Sequence, residues 1–287
     1  MKLFWGKGTC AIGIHILLEE AGLDYQTIRV DVGGGETHQP PFLAINPKGK
    51  VPTLVRDDGS VLTEFSAIAT WIARQAPGAG LLPADPDSEA RAIEVIAYVE
   101  GTIHGQGYAR LFAPHQFASH DLRDADHAAG IQQARDQGRE IVRRGFALLD
   151  QTLADRDFAV GGHFTTADAA LFYVERWAPK QDIELPSNLA RHYDQCSPDR
   201  PSIGCGNSGA RLDLSRRASS PNRPVAIARH RQPAHPAFLG EMLPSDDPER
   251  PTRGRSAADG SDKAPKAGCP APRHPPNVPA FPRPGLH

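Results

Sequence analysis

The amino-acid composition changes abruptly after Gln195. Of the 27 prolines in the chain, 17 lie beyond this residue, whereas all three tryptophans and all five tyrosines lie before it. Proline removes a backbone donor and fixes φ, so neither a helix nor an interior strand tolerates such a density. A segment this poor in aromatic residues cannot bury enough apolar surface to offset the entropy lost on ordering. We therefore expect a folded body followed by a disordered, Pro/Arg-rich tail over residues 197–287.

The tail also differs from the body in charge. Residues 197–287 carry 12 arginines and 2 lysines against 8 acidic residues, a net +6, which leaves −8 on the rest of the chain. The arginines are scattered among prolines without aromatic platforms for bases, so we expect no specific nucleic-acid partner. The tail is either a natural extension or the product of a reading-frame change near codon 196. The simultaneous loss of helical patterning and rise in proline and arginine favours the frame change.

Cysteine usage and hydropathy indicate the compartment. Cys10 is the single cysteine among the first 195 residues, which is no disulfide framework and suits a reducing environment. No stretch approaches 18 apolar residues, and the apolar run at the N-terminus is too short for a signal peptide. We expect a cytoplasmic protein with no membrane partner.

The first thirty residues alternate between strand and helix patterns. Lys2–Trp5 and Tyr25–Val30 have strand patterns, and residues 9–22 between them keep helical spacing up to a stopping glycine. A strand, a helix and a strand over this length are typical of a right-handed crossover between parallel strands. The sequence thus predicts a βαβ unit.

A hairpin and a helix are predicted next. Thr53–Val55 and Val61–Leu62 flank a segment with an Asp-Gly turn signal, and Glu64–Gln75 has helical spacing. The order βαβ and then ββα predicts a small mixed sheet with helices on its faces. We assign this α/β domain to residues 1–76.

Beyond a linker at residues 77–86, the periodicity becomes purely helical. We assign an all-helical domain to residues 87–196. Ser88 is expected to cap its first helix, whose end is loosened by three glycines, and Asp124–Leu153 is expected to form one long amphipathic helix.

Two further helices are predicted near the end of this domain. Thr165 and Asp168 match a capping box, and the helix that follows them is apolar nearly all round, so it should be the buried centre of the bundle. A last amphipathic helix is expected over Pro186–Gln195, with Ser187 as its cap.

Pro52 stands at the head of a short apolar run. Because proline cannot donate to a sheet ladder, we expect it at the first residue of an edge strand. If the peptide bond before it is cis, the backbone of Val51 turns outward and offers its NH and CO groups to an extended ligand. Together with Cys10 at the head of the first helix, this predicts a binding site for a peptide thiol.

The first 195 residues resemble cytosolic glutathione transferases, most closely the bacterial beta class that uses a cysteine. The residues that carry the resemblance are Met1-Lys2-Leu3-Phe4 with Cys10, Asn46–Leu54, Leu62-Thr63-Glu64 with Ala67-Ile68, and Phe164–Phe172. The resemblance implies a thioredoxin-like first domain that binds glutathione. It also implies an all-helical second domain that supplies the pocket for the electrophile.

The resemblance further implies how glutathione is held. Val51, before the presumed cis Pro52, would pair through its backbone with the cysteinyl part. Glu64 and the backbone NH of Phe65 would hold the γ-glutamyl end at a helix start, where free NH groups take a carboxylate. Ser66 is assigned to the same binding set.

Cys10 and His104 are the catalytic residues that the resemblance implies. In beta-class proteins a cysteine at the Cys10 position forms a mixed disulfide with glutathione, and a histidine at the His104 position lies near the glutathione sulfur. A helix N-terminus favours a thiolate and can bring a cysteine pKa from about 8.5 to within ~3.5–7.5. We therefore expect a partly ionised Cys10 at neutral pH.

The chain departs from the family pattern at three positions. Phe65 stands where a small residue is common, so a side-chain hydroxyl contact is lost there, although Ser66 is adjacent. Gly35 lies where beta-class members often carry a lysine for the glycyl carboxylate, and Trp5 stands where a tyrosine is frequent. These departures concern glutathione affinity and electrophile range more than the fold.

Two functions remain open at this stage. The first is a detoxifying glutathione transferase that conjugates glutathione to small-molecule electrophiles or reduces mixed disulfides. The alternative is a non-catalytic protein of the same fold that binds glutathione or hydrophobic ligands. The resemblance implies a homodimer, for which helix 88–103 and the apolar Phe112–Pro114 region could supply surface.

Two other kinds of site are not supported by the sequence. The spacing of His115, His120 and His127 matches no metal site, so we expect none. Gly204–Gly209 satisfies G-x-G-x-x-G, but without a preceding strand and a following helix it does not indicate a dinucleotide site.

Overall fold

The computed structural model describes residues 1–118 and 124–197. Within these ranges there are four strands and eight α-helices. The strands are β1 (Lys2–Trp5), β2 (Gln26–Arg29), β3 (Thr53–Val55) and β4 (Val61–Thr63). The α-helices are α1 (Ala11–Glu20), α2 (Pro40–Leu43), α3 (Phe65–Gln75), α4 (Pro86–Tyr98), α5 (Ala109–Phe112), α6 (Asp124–Thr152), α7 (Thr166–Trp177) and α8 (Ser187–Cys196). A π-helix over Val99–Tyr108 joins α4 to α5, and short 3₁₀ turns lie at Glu36–His38, Pro77–Ala79, Pro114–Gln116 and Ala178–Gln181.

The strands form one mixed sheet in the order β2-β1-β3-β4. β1 runs parallel to β2 and antiparallel to β3, which pairs antiparallel with β4. The predicted crossover and hairpin are therefore confirmed. The expectation that Pro52 opens an edge strand is wrong, because β3 lies between two neighbours. Pro52 instead precedes the first paired residue, Thr53, so its missing donor interrupts no ladder.

Helices α1 and α3 pack together and against α7 of the helical domain. Their close approach depends on Gly13 in α1. A Cβ added there would lie 2.6 Å from the carbonyl oxygen of Ala169 and 2.7 Å from the ring of Phe65. Both distances are far below a van der Waals contact, so a side chain at Gly13 would push the domains apart.

The run from α4 to α5 continues without a break through the π-helix. The glycines expected to loosen the end of the first helix are instead part of this stretch. Gly107 lets it approach α6, because a Cβ there would lie 2.6 Å from the side chain of Val142. π-Helical turns hold more residues per turn than α-helical ones and are frequent at functional sites.

Helix α7 is the buried centre of the bundle, as predicted. Eleven of its twelve residues are buried. The predicted capping box is present: the Asp168 carboxylate accepts from the Thr165 backbone N–H and hydroxyl, each at 2.8 Å. It also accepts from the Ala159 N–H at 2.6 Å, so it fixes the preceding loop as well.

Two predicted helix caps are wrong. The cap of α4 is Asp85, whose carboxylate accepts from the Ser88 N–H at 2.8 Å, so Ser88 is inside the helix. Ser187 is likewise the first residue of α8 rather than its cap. The start of α8 is capped from α6, where the Asp150 carboxylate accepts from the Asn188 N–H at 2.8 Å.

A buried polar cluster joins α7 to α8. His192 is fully buried, with Nδ1 3.0 Å from the Glu175 carboxylate and Nε2 3.1 Å from Asp168 Oδ1. Cys196 Sγ lies 3.4 Å from the same Nε2. Burial alone would lower the pKa of His192, but the flanking carboxylates more than offset this and raise it well above its ordinary value. The two acidic side chains therefore favour the protonated form of His192.

The prediction of a disordered tail concerns residues that, beyond 197, lie outside the described ranges. Among the residues that are described, no helix is long and apolar enough to cross a membrane.

Candidate functional site

Cys10 occupies the N-cap position of α1, at the end of a tight glycine turn. Gly8 has φ +77°, which favours glycine, and the Thr9 hydroxyl donates to the Gly6 carbonyl oxygen at 2.8 Å. Trp177 of α7 donates from its indole nitrogen to the Gly8 carbonyl oxygen, also at 2.8 Å. The turn that leads into Cys10 is thus held from within and from the helical domain.

The segment before β3 lies opposite Cys10. The Val51–Pro52 peptide bond is cis, and the Val51 carbonyl oxygen is 4.0 Å from Cys10 Sγ, which donates to it. Asn46 fixes this segment, since its side-chain amide donates to the Lys50 carbonyl oxygen at 2.8 Å and to the Thr53 hydroxyl at 2.9 Å. These hydrogen bonds therefore hold the Val51 backbone in position opposite Cys10.

The start of α3 forms the third part of the site. Glu64 has φ +71°, a left-handed value that is uncommon for a residue with a side chain and often marks a functional constraint. Its carboxylate lies 2.5 Å from Lys48 Nζ. Phe65 is buried against the ring of Tyr173, with centroids 5.1 Å apart. The Ser66 N–H donates to Glu100 Oε1 at 3.1 Å.

These three parts and the π-helix line one cleft of about 810 Å³. All seven residues that the sequence analysis selected lie on it, including both catalytic candidates. They are Cys10, Val51, Pro52, Glu64, Phe65, Ser66 and His104. The structure thus brings the predicted set together between the α/β domain and the helical domain.

The electrostatics of Cys10 contradict the expectation of a partly ionised thiol. Burial raises the pKa of the Cys10 thiol to about 12, and the Glu100 carboxylate adds to the rise. The helix start favours a thiolate, but that effect is smaller than the desolvation of a residue that is 8% exposed. A pKa this far above 7 keeps Cys10 a neutral thiol at neutral pH.

His104 is neutral as well. Burial lowers its pKa to about 4, and the nearby charge of Lys50 adds to the effect. Its Nδ1 lies 3.4 Å from the Tyr173 hydroxyl, and its ring packs edge-on against Trp177 with centroids 4.9 Å apart. If the Tyr173 hydroxyl donates to Nδ1, the proton of the neutral imidazole sits on Nε2.

Sequence reasoning missed several residues of the cleft. Lys48 and Lys50 supply positive charge to its lining, and Phe112 and Trp177 supply aromatic surface. The lysines flank Gly49 directly before Val51, a signal that was available in the sequence. Glu100 gave no such signal, because only the folded chain brings it to the start of α3.

The histidines and the glycine-rich segment noted in the sequence bear on two other kinds of site. Within residues 1–118 and 124–197, no group of three His, Cys, Asp or Glu side chains is arranged to hold a metal ion. His120 and the G-x-G-x-x-G segment at 204–209 lie outside these ranges.

Comparison with known proteins gives consistent matches along the described chain. The family model for the glutathione S-transferase N-terminal domain matches residues 9–75, and that for the C-terminal domain matches residues 132–195. Glutathione S-transferase GstA of Escherichia coli O157:H7 is 33% identical over 207 residues, which cover 71% of this chain and 95% of the relative.

Two solved structures are similar in sequence and fold. A sphingomonad glutathione S-transferase complexed with glutathione has 32% identity and a TM-score of 0.58, covering 70% of this chain and 94% of that one. A beta-class glutathione S-transferase from Sphingomonas chungbukensis has 32% identity and a TM-score of 0.57, with coverages of 68% and 91%. The matches agree with the thioredoxin-like and helical domains of the fold.

Proposed function

The chain belongs to the glutathione S-transferase family, and we propose that it joins the sulfur of glutathione to small electrophiles while the Cys10 thiol stays protonated. It is an enzyme of the transferase class with glutathione as co-substrate. Of the two reactions open to such a cleft, conjugation and the exchange of mixed disulfides, we propose conjugation.

The burial of Cys10, which is 8% exposed, is the observation that carries the proposal. A thiol whose pKa is raised to about 12 by burial is a poor nucleophile at neutral pH, because the thiolate is the reactive form. A neutral S–H can donate a weak hydrogen bond. At the start of α1, Cys10 would donate to the glutathione sulfur and, with the helix dipole, favour the glutathione thiolate.

The rest of the tripeptide is assigned by the groups that line the cleft. The Val51 backbone takes the cysteinyl part, Glu64 takes the γ-glutamyl ammonium, and the amides of Phe65 and Ser66 take the γ-glutamyl carboxylate. Lys50, exposed at the rim, and His38 are the basic side chains proposed for the glycyl carboxylate. They would replace the lysine that beta-class proteins often carry near position 35.

The end of the cleft beside Cys10 would take the electrophile. It is lined by Phe112, Trp177 and the neutral His104, and the Phe112 and Trp177 ring centroids are 5.1 Å apart. The aromatic rings offer a flat apolar surface, which favours planar electrophiles. His104 Nε2 would provide a hydrogen bond to the electrophile or its leaving group.

Substitution of Cys10 distinguishes conjugation from disulfide exchange. Serine keeps a donor in place of the thiol, so Cys10→Ser should keep conjugation of a chlorinated nitroarene within about tenfold of the parent rate, whereas Cys10→Ala should lose more. Cys269→Ser is the matched control and should be without effect. Loss of all activity in both Cys10 variants would show instead that this thiol forms a covalent intermediate.

We also propose that the protein is a cytoplasmic homodimer, formed between the first domain of one chain and the second domain of the other. Ile93 on α4 is 47% exposed, an apolar side chain that such an interface would cover. Light scattering at micromolar concentration should give twice the chain mass, and Ile93→Glu should halve it. A monomeric parent protein would contradict the proposal.

A further inference from the structure

The side chain of Glu100 belongs to the helical domain, but its carboxylate contacts the start of α3 in the other domain. Glu100 is the second residue of the π-helix, and its Oε1 accepts from the Ser66 N–H at 3.1 Å. Ser66 is the second residue of α3, so this N–H is one of those that have no partner within the helix. An acidic side chain of the protein thus occupies the place where an anion binds at a helix start.

No side chain within α3 or at its N-cap takes this role. Glu64, the N-cap residue, makes no capping hydrogen bond with its side chain, and its carboxylate is paired with Lys48 instead. Glu100 therefore does for α3 what a capping residue does for other helices, but from another domain and across the cleft.

The place is electrostatically unfavourable for Glu100. Burial raises the pKa of its carboxyl, and the neighbouring Glu64 carboxylate raises it further, while the hydrogen bond with Ser66 opposes both. Because Ser66 alone holds the charge there by hydrogen bonding, the Glu100 carboxylate is poised to leave when another anion takes the Ser66 amide. The backbone beside it has room, since a Cβ on Gly101 would meet nothing within 4 Å.

We propose that Glu100 is an internal competitor for the γ-glutamyl carboxylate of glutathione, holding the Ser66 amide until the ligand carboxylate replaces it. The inference rests on the proposed placement of glutathione at the start of α3. It makes Glu100 a residue that sets affinity, because each binding event must first break the Glu100–Ser66 hydrogen bond.

The test uses the full chain with Glu100→Gln, which keeps the size and shape of the side chain but removes the competing charge. Glu94→Gln is the matched control, since Glu94 lies on α4 outside the cleft and is paired with Arg91 on the surface. Isothermal titration would measure the dissociation constants of two ligands at one pH and salt concentration. They are glutathione and its analogue without the γ-glutamyl carboxylate, 4-aminobutyryl-cysteinylglycine.

Glu100→Gln should bind glutathione about three- to tenfold more tightly than the parent, because a charge-assisted hydrogen bond is replaced by a weaker neutral one. Its affinity for the analogue should be unchanged within about twofold, and Glu94→Gln should match the parent for both ligands. The difference between the two ligands isolates the effect of Glu100 on the γ-glutamyl carboxylate.

Three results would overturn the inference. Unchanged or weaker glutathione binding by Glu100→Gln would show that Glu100 does not compete. Equal tightening for both ligands would assign its effect to something other than the carboxylate. A parent protein that binds no glutathione would overturn the proposed function itself, and this inference with it.

Discussion

The indole nitrogen of Trp177 and the carbonyl oxygen of Gly8 are joined by a 2.8 Å hydrogen bond between the last residue of α7 and the turn before Cys10. The buried centre of the helical domain therefore helps to set where the thiol lies. Trp177 also contacts His104, so one side chain supports both catalytic candidates.

Trp177→Phe should clearly lower the conjugation activity but only slightly lower the free energy of unfolding. The change keeps an aromatic ring but leaves the Gly8 carbonyl without this donor, which costs about 0.5–1.5 kcal/mol of unfolding free energy. Activity should fall by on the order of tenfold as the Cys10 turn loosens. Trp71→Phe on α3 is the control for loss of an indole. Equal activity in the two variants would contradict the role assigned to Trp177.

The reaction of Cys10 with oxidised glutathione should be slow at pH 7 and should accelerate about tenfold per pH unit up to pH 9. Burial raises the pKa of this thiol to about 12, so the thiolate fraction keeps rising over the whole range. Peptide-resolved mass spectrometry separates Cys10 from Cys196, Cys205 and Cys269. A rate that levels off below pH 8 would show that the thiol ionises far more easily than its burial implies.

Glu64→Gln should weaken glutathione binding by about five- to tenfold, because a charge-assisted hydrogen bond to the γ-glutamyl ammonium becomes a neutral one. Glu89→Gln is a suitable control, since Glu89 also forms an ion pair, with Arg74, but lies outside the cleft. Titration calorimetry measures both. If Glu64→Gln binds glutathione as tightly as the parent does, the γ-glutamyl ammonium must bind elsewhere.

His192→Gln should destabilise the fold by about 3–5 kcal/mol at pH 6, because it leaves the Glu175 and Asp168 carboxylates buried without their cation. The folded-state pKa of His192 is raised, so its contribution is fully present below the unfolded value near 6.5 and is lost as pH rises through the folded value.

Urea unfolding at a series of pH values measures this difference. The gap between His192→Gln and the parent should narrow above neutral pH, with the exposed His115→Gln as the control. A gap that widens with pH would mean that His192 is held neutral in the cluster.

Local patterns were enough to predict most of the fold. The parallel crossover, the hairpin and the buried α7 depend on periodicity, turn signals and a capping box that lie close together in the sequence. The sequence pattern favours Ser88 as a cap, whereas Asp85, directly before Pro86, is the residue whose carboxylate accepts from the Ser88 N–H. The cap of α8 could not be found locally, because Asp150 belongs to another helix.

The sequence predicted residues that line one cleft, but it did not predict the electrostatics there. The motifs selected the residues that line the cleft, since each motif lies at the start of an element. The pKa of Cys10 depends instead on how deeply the thiol is buried and on Glu100, ninety residues away in the sequence. Helix-start reasoning includes neither quantity, so it predicted the wrong sign of the shift.

The π-helix gives the site an unusual sensitivity to chain length. Glu100 and His104 both face the cleft from this stretch, whose wider turns depend on its number of residues as well as on their identity. Deleting one residue, for example Gly101, would return the stretch to α-helical pitch and rotate one of these side chains by roughly 100° relative to the other. Most substitutions in this segment leave the direction of its other side chains unchanged, whereas an insertion or deletion rotates them about the helix axis. For this segment the residue count is therefore itself a functional property.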